Sequence, residues 1–193
     1  TCQQGHVDVV RLLLARKEIQ INQAMEGGAT PLFITCEYGH VDVVRLLLAR
    51  NEIQINQADG EGTTPLYVTS QNGHVNVVRL LLARKEIQTN QATKDGATPL
   101  WITCQGGHVD VVRLLLARKE IQINKATKKG LTPLYITCEK GHVDVVRLLL
   151  ARNEIQINQA RESGATPLYI TCERGRVDVV RLLLARKEIQ INQ

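Results

Sequence analysis

A chain of 193 residues with a net charge of +5 is long enough for one or two globular domains and only mildly basic for its length. It shows no Asn-x-Ser/Thr sequon, no signal peptide and no apolar run of membrane-spanning length, which removes the membrane-spanning class. Its five cysteines do not form a disulfide framework: Cys2, Cys36, Cys104, Cys138 and Cys172 share one repeated slot, with Ser70 in the remaining copy. Equivalent positions on stacked helices lie roughly 8–10 Å apart, beyond disulfide reach. We therefore expect all thiols to be reduced and mostly buried, which points to an intracellular, cytoplasmic setting.

The pattern along the chain overrides the length prior. The segment GHVDVVRLLLARKEIQIN at Gly5 to Asn22 returns unchanged at Gly107 to Asn124. Its opening glycine recurs every 34 residues, at Gly5, Gly39, Gly73, Gly107, Gly141 and Gly175. A Thr-Pro-Leu column keeps the same spacing, with prolines at Pro31, Pro65, Pro99, Pro133 and Pro167. Residues 1–193 thus form one array: a partial repeat over 1–24, then whole repeats over about 25–58, 59–92, 93–126, 127–160 and 161–193. A unit this short buries its apolar face only by stacking on its neighbours.

Taken in chain order, repeat one keeps only Thr1 to Gln4 of a first helix, too little to nucleate one unaided. Its second helix carries Val7, Val9, Val10, Leu12, Leu13 and Leu14. In repeat two, Thr30 is a suitable N-cap and Pro31 a suitable first helical residue, so the pattern predicts a helix to about Tyr38, ended by Gly39. A second helix follows from about Val41 to Arg50, apolar nearly all round except for Asp42, Arg45 and Ala49, which implies several packing partners. Ile53, Gln54 and Ile55 alternate like extended chain, and Asn56 to Thr63, with Gly60 and Gly62, reads as a projecting turn. The later copies repeat this order. At the far end Gln193 stops before another turn, and Leu182, Leu183 and Leu184 have no polar capping repeat beyond them. The expectation is that the chain frays at its N-terminus, with residues 1–22 the least protected, and self-associates end to end, or that it is a piece of a longer array.

The stretch GATPLYITCERGRVDVVRLLLARKEIQIN and its siblings resemble the ankyrin repeat: a turn Gly, Thr-Pro-Leu, a short helix, Gly-His, a Val-Val and Leu-Leu-Leu helix, and a closing Asn. The resemblance spans the whole chain. It implies an all-α solenoid of stacked helix-turn-helix units with projecting β-turn fingers, which binds a partner protein on the concave side formed by turns and first helices. Two departures stand out. The slot after Thr-Pro-Leu is aromatic here, as Phe33, Tyr67, Trp101, Tyr135 and Tyr169, where the family usually has His. The family's helix-ending Asn-Gly is replaced by Ala-Arg-Lys/Asn-Glu. The second helix is then expected to end on Asn or Lys in the left-handed conformation, which Asn51 and Asn153 tolerate better than Lys17, Lys85, Lys119 and Lys187.

A catalytic site is made once, whereas His6, His40, His74, His108 and His142 are equivalents. They are expected to hold the interhelix turn by hydrogen bonds. The Cys-x3-His pairs, such as Cys36 with His40, supply two ligands per repeat, too few for a tetrahedral zinc shell. No Gly-rich segment continues into Gly-Lys-Ser/Thr. Asp42 with Arg45, and Asp110 with Arg113, read as weak ion pairs on a solvated face. The sequence therefore gives no catalytic residue, no metal site and no cofactor, and points away from an enzyme.

Specificity is sought where the copies differ: the turn tips and the two residues before Gly-His. On that basis the candidate contact residues are Glu26, Phe33, Tyr38, Asp59, Glu61, Tyr67, Lys94, Asp95, Trp101, Lys128, Lys129, Tyr135, Lys140, Arg161, Tyr169 and Arg174. The aromatic column also reads as a structural ladder between first helices. Acidic groups lead at the N-terminal tips, and Lys125, Lys128, Lys129, Arg161, Arg174 and Arg176 gather toward the C-terminal half, which suits an acidic protein partner there. Glu139, Glu162 and Glu173 interrupt that cluster and disfavour nucleic acid. The reading is a protein–protein interaction module; the alternatives are a passive structural spacer, or the regulatory domain of a larger enzyme.

Overall fold

The computed structural model describes residues 2–16 and 18–191. The expectations that involve Thr1, Lys17 and Gln193 lie outside these residues. Each whole repeat supplies two short helices. The first helices are α2 (Pro31–Tyr38), α4 (Pro65–Gln71), α6 (Pro99–Gly106), α8 (Pro133–Lys140) and α10 (Pro167–Glu173). The second helices are α3 (Val41–Leu48), α5 (Val75–Leu82), α7 (Val109–Leu116), α9 (Val143–Leu150) and α11 (Val177–Leu184), preceded by α1 (Val7–Leu14) of the partial repeat. No strand occurs among the described residues.

Local chemistry sets the helix starts. The hydroxyl oxygens of Thr30, Thr64, Thr98, Thr132 and Thr166 accept the backbone N–H three residues on, at 3.1–3.2 Å. Each such cap contributes about 1 kcal/mol, and the proline that follows has no N–H to leave unsatisfied. Gly39, Gly107 and Gly141 end α2, α6 and α8 with φ of 73°, 72° and 81°.

The second helices stop earlier than the sequence predicts. α3 ends at Leu48, and Ala49 stays right-handed with φ −72°. No described non-glycine residue has positive φ, so the left-handed ending expected at Asn51, Asn153, Lys85, Lys119 and Lys187 does not occur. The cause lies in the next repeat. Arg84 Nη1 donates to the Leu48 carbonyl at 2.8 Å, and Arg50, Arg118 and Arg152 do the same for Leu14, Leu82 and Leu116. A helix whose final carbonyl is satisfied from outside needs no glycine to turn the chain back on it.

First helices stack on first helices and second on second, the former with the more extensive contact. The continuous core between the layers includes Leu32, Val43, Val44, Leu47, Leu66, Val77, Leu81 and Leu100, all nearly inaccessible, as are their equivalents up to the last repeat, where Val180 is only half-buried. Each large aliphatic side chain buried in this way contributes about 1.5–3 kcal/mol. Ile53 and Ile55 are buried and Gln54 is exposed, as the alternation predicts, but the backbone there is a turn closed by Gln57 N–H to the Gln54 carbonyl at 3.1 Å.

Side chains also lock each repeat to the next. Asn90 Nδ2 donates to the Glu120 carbonyl at 2.8 Å and its Oδ1 accepts the Gln122 N–H at 2.9 Å. Asn22, Asn56, Asn124 and Asn158 make the same pair of bonds. At the ends, α1 exposes Val9, Leu12 and Leu13, and α11 exposes Val177 and Leu184. Leu183, expected to lack cover, is instead fully buried, because it points back into the stack.

The interhelix glycines are held by more than backbone geometry. A Cβ on Gly107 (φ 72°) would lie 2.6 Å from His142 Nδ1, whereas one on Gly164 (φ 83°) would meet nothing within 4 Å. Alanine at either site carries the left-handed penalty of about 1–2 kcal/mol, and only Gly107→Ala adds a clash. Urea unfolding should show Gly107→Ala as the more destabilising change by at least about 1 kcal/mol. Equal losses would mean that the imidazole yields freely.

Candidate partner-binding surface

The fingers between repeats are short turns closed on themselves. Met25 N–H donates to the Ala29 carbonyl at 2.9 Å, and Asp59, Thr93, Thr127 and Arg161 repeat this with Thr63, Ala97, Leu131 and Ala165. Asp59 Oδ1 further accepts the N–H groups of Glu61 and Thr63 at 2.9 and 2.8 Å. Neighbouring tips are joined by single backbone bonds: Gly60 N–H to Gly27, Lys94 to Glu61 and Lys128 to Asp95, at 2.8–2.9 Å. The first four tips are thus linked in a row beside the first helices, and the fifth packs against the fourth, where a Cβ on Gly130 would fall 2.9 Å from Glu162 N.

The sequence-derived candidates divide sharply. Glu26, Glu61, Lys94, Asp95, Lys128, Lys129, Lys140, Arg161, Tyr38, Tyr169 and Arg174 are exposed, and Asp59 is half-buried. Phe33, Tyr67, Trp101 and Tyr135 are buried between first helices. These four rings pack as a ladder, and a ring so covered by its neighbours offers a partner little area. Burial accordingly pushes the Tyr67 hydroxyl up, with the Asp95 carboxylate acting in the same direction. Tyr169, with 54% of its surface accessible, is the exception. Tyr38 stacks on His40 at 6.1 Å between ring centroids and accepts Gln3 Nε2 at 2.8 Å.

Histidine acts between repeats, not within the interhelix turn as expected. His40 Nε2 lies 2.8 Å from the Gln3 carbonyl, and His74, His108 and His142 reach Glu37, Gln71 and Gln105 at 2.9–3.0 Å. Arg176 takes this place in the last repeat, Nε to the Glu139 carbonyl at 3.3 Å. The Cys-x3-His pairs do not converge. Burial pushes the thiols of Cys36, Cys104 and Cys138 up to about 12, so they stay protonated and inert, while the imidazoles are held by carbonyls. No group of three or more His, Cys, Asp or Glu is placed to hold a metal ion among the described residues.

A family model described as ankyrin repeats matches the chain in three copies, over residues 1–59, 51–127 and 119–193. The chain belongs to the ankyrin-repeat family. No curated protein is similar enough to match it. Ankyrin repeats are in general protein–protein interaction modules, and no described helix of this one is long and apolar enough to cross a membrane.

Much of the charge in this ankyrin array is consumed internally. Arg50, Arg84, Arg118 and Arg152, besides capping the preceding repeat, pair with Glu52, Glu86, Glu120 and Glu154 at 2.9–3.0 Å. The Asp–Arg pairs expected on the second helices are open by comparison: among the described residues only Asp178 and Arg181 close, at 3.7 Å. On the finger side, Lys94 meets Glu61 at 3.6 Å and Arg174 meets Glu139 at 3.1 Å. Lys125 is spent on the Asn90 carbonyl at 3.2 Å. Lys128, Lys129 and Lys140 stay exposed. Sequence reading missed the part played by Glu139, Ser163 and Glu173, which line a groove of about 500 Å³ with Tyr135, Arg161, Tyr169 and Arg174. Their signal lay in the same variable slots, where Glu139 and Glu173 counted only as breaks in the basic cluster.

The carboxylates of Glu52, Glu86, Glu120 and Glu154 are held below their ordinary value of 4.5, first by their own backbone N–H and then by the arginine side chain. A carboxylate lowered in the folded state stabilises fully above its ordinary value and loses that contribution as pH falls through the folded one. Wild type should therefore lose more urea resistance than a variant carrying Gln at all four positions as pH drops from about 6 to about 3. Parallel pH profiles would show that these pairs add nothing.

Proposed function

We propose that this chain is a non-enzymatic binding module that grips a partner protein along the ridge of finger tips and the adjoining ends of first helices, with an acidic partner surface along its C-terminal half. The observation that carries this reading is a division among the side chains. Residues that recur from copy to copy are engaged in junctions: Asn, Arg and, in all but the last repeat, His reach into the neighbouring repeat, and Thr caps its own helix. Some residues that differ between copies, such as Ser70, Thr89 and Trp101, are buried, whereas those at the finger tips and first-helix ends stand mostly exposed on one side. There Lys128, Lys129 and Lys140, on consecutive elements, project cationic groups that the array itself does not use. Such a cluster raises association rates and selects against basic surfaces more than it adds affinity.

The reading is tested by affinity capture with the chain and with a Lys128→Glu/Lys129→Glu variant. The expected outcome is an acidic protein retained by wild type, weakened about tenfold or more by the double reversal and weakened further by salt. Capture indifferent to both substitutions and to salt would contradict the acidic assignment, and the absence of any specific partner would favour a spacer.

A further inference from the structure

The groove formed by the last finger with α8 and α10 differs from every other junction in the array. Its first finger residue is Arg161, where the other repeats have Met25, Asp59, Thr93 and Thr127. Arg161 Cζ lies 6.0 Å from the centre of the Tyr135 ring, a cation–π distance, and its Nε donates to Ser163 Oγ at 2.6 Å. Ring and hydroxyl together hold the guanidinium, and no hydrogen bond engages its terminal nitrogens among the described residues. No carboxylate pairs with it among the described residues. The finger that carries it is packed, since a Cβ on Gly130 would fall 2.9 Å from Glu162 N and 3.0 Å from Arg161 Cα. Arg174, the other arginine in the groove, is already neutralised by Glu139.

We propose that this groove anchors one aspartate or glutamate side chain of a partner protein, presented on an extended segment with an apolar or aromatic residue beside it. The assignment rests on the binding-module reading above and adds the chemistry of the contact. Arg161 supplies a planar pair of donors to one carboxylate. Tyr135 forms the floor beneath it, and the exposed ring of Tyr169 is the wall against which the neighbouring apolar residue packs. A volume of about 500 Å³ admits one or two side chains. Charge limits the anion: Glu139 and Glu173 line the same groove, so a singly charged carboxylate on Arg161 meets less repulsion than a phosphate dianion. An arginine over one tyrosine ring with a second tyrosine alongside is also the residue combination that concentrates binding energy at interfaces.

The test selects binders from a phage-displayed library of random twelve-residue peptides on the full chain, then measures the best synthetic peptide by fluorescence anisotropy. The expected enrichment is Asp or Glu next to an aliphatic or aromatic residue. Arg161→Gln should weaken that peptide about tenfold or more, Tyr169→Ala several-fold, and Lys94→Gln not at all. Replacing the peptide's acidic residue by its amide should cost as much as Arg161→Gln, and replacing it by phosphoserine should weaken binding as well. Circular dichroism melts matching wild type establish that the variants are folded. No enriched acidic sequence, an indifferent Arg161→Gln variant, or tighter binding of the phosphoserine peptide would each overturn the assignment. Peptides that ignore Arg161→Gln yet are lost on Tyr38→Ala or Lys128→Glu/Lys129→Glu would overturn the anchor and leave the binding-module reading standing. Peptides insensitive to all of these substitutions would overturn both.

Discussion

The structure depends on one asparagine per repeat that holds the backbone of the next. Asn56, for example, gives its amide to the Glu86 carbonyl at 2.8 Å and takes the Gln88 N–H at 2.9 Å, so one side chain saturates two backbone groups in a stretch with no regular secondary structure. Buried or half-buried backbone groups left unpaired cost about 1–3 kcal/mol each, and the segments between second helices and fingers have no ladder to pair them. The neighbouring repeat supplies the partners. The arginine that caps the preceding helix and the imidazole that reaches the preceding carbonyl extend the same device to the other two corners of each unit. A repeat is complete only when stacked, which is the physical content of the 34-residue period.

That dependence explains how the array can carry both sameness and difference. The invariant side chains are committed to junctions whose geometry must match at every step, because hydrogen bonds near 2.9 Å tolerate little displacement. Tips and first-helix ends lie outside this network, and their side chains change between copies at little cost to the stack. Met25, Asp59, Thr93, Thr127 and Arg161 fill one slot with four residue types, yet the turn beneath them closes with the same backbone bond. Recognition is free to vary because the bond that closes each turn is backbone to backbone; Asp59, Thr93 and Thr127 add side-chain bonds only within their own fingers.

Periodicity made the helices, the glycine corners and the threonine caps legible, since each is a local effect of residue type and spacing. The end of the second helix was not legible, because Leu48 is capped by Arg84 from another repeat and no local signal records that contact. Histidine was misplaced for the same reason: His74 sits at a helix entrance in sequence but bonds to Glu37 across the junction. The aromatic slot was readable as a ladder or as an interface, and burial decides for the ladder at Phe33, Tyr67, Trp101 and Tyr135. Tyr169 departs from its siblings only because of where it falls in the stack. The groove around Arg161 needed three dimensions, since Tyr135, Arg161 and Arg174 meet from three separate elements.

The most direct test of the claim that repeats hold one another's backbone is amide hydrogen exchange at Gln54, Gln88, Gln122 and Gln156. All four lie outside helices, and each N–H is bonded only to an asparagine side chain of the preceding repeat, at 2.9 Å. The account predicts exchange far slower than in a free peptide, with Asn90→Ala releasing Gln122 ahead of the other three. Peptide-like exchange at these amides in wild type, or a Gln122 amide unmoved by Asn90→Ala, would contradict it.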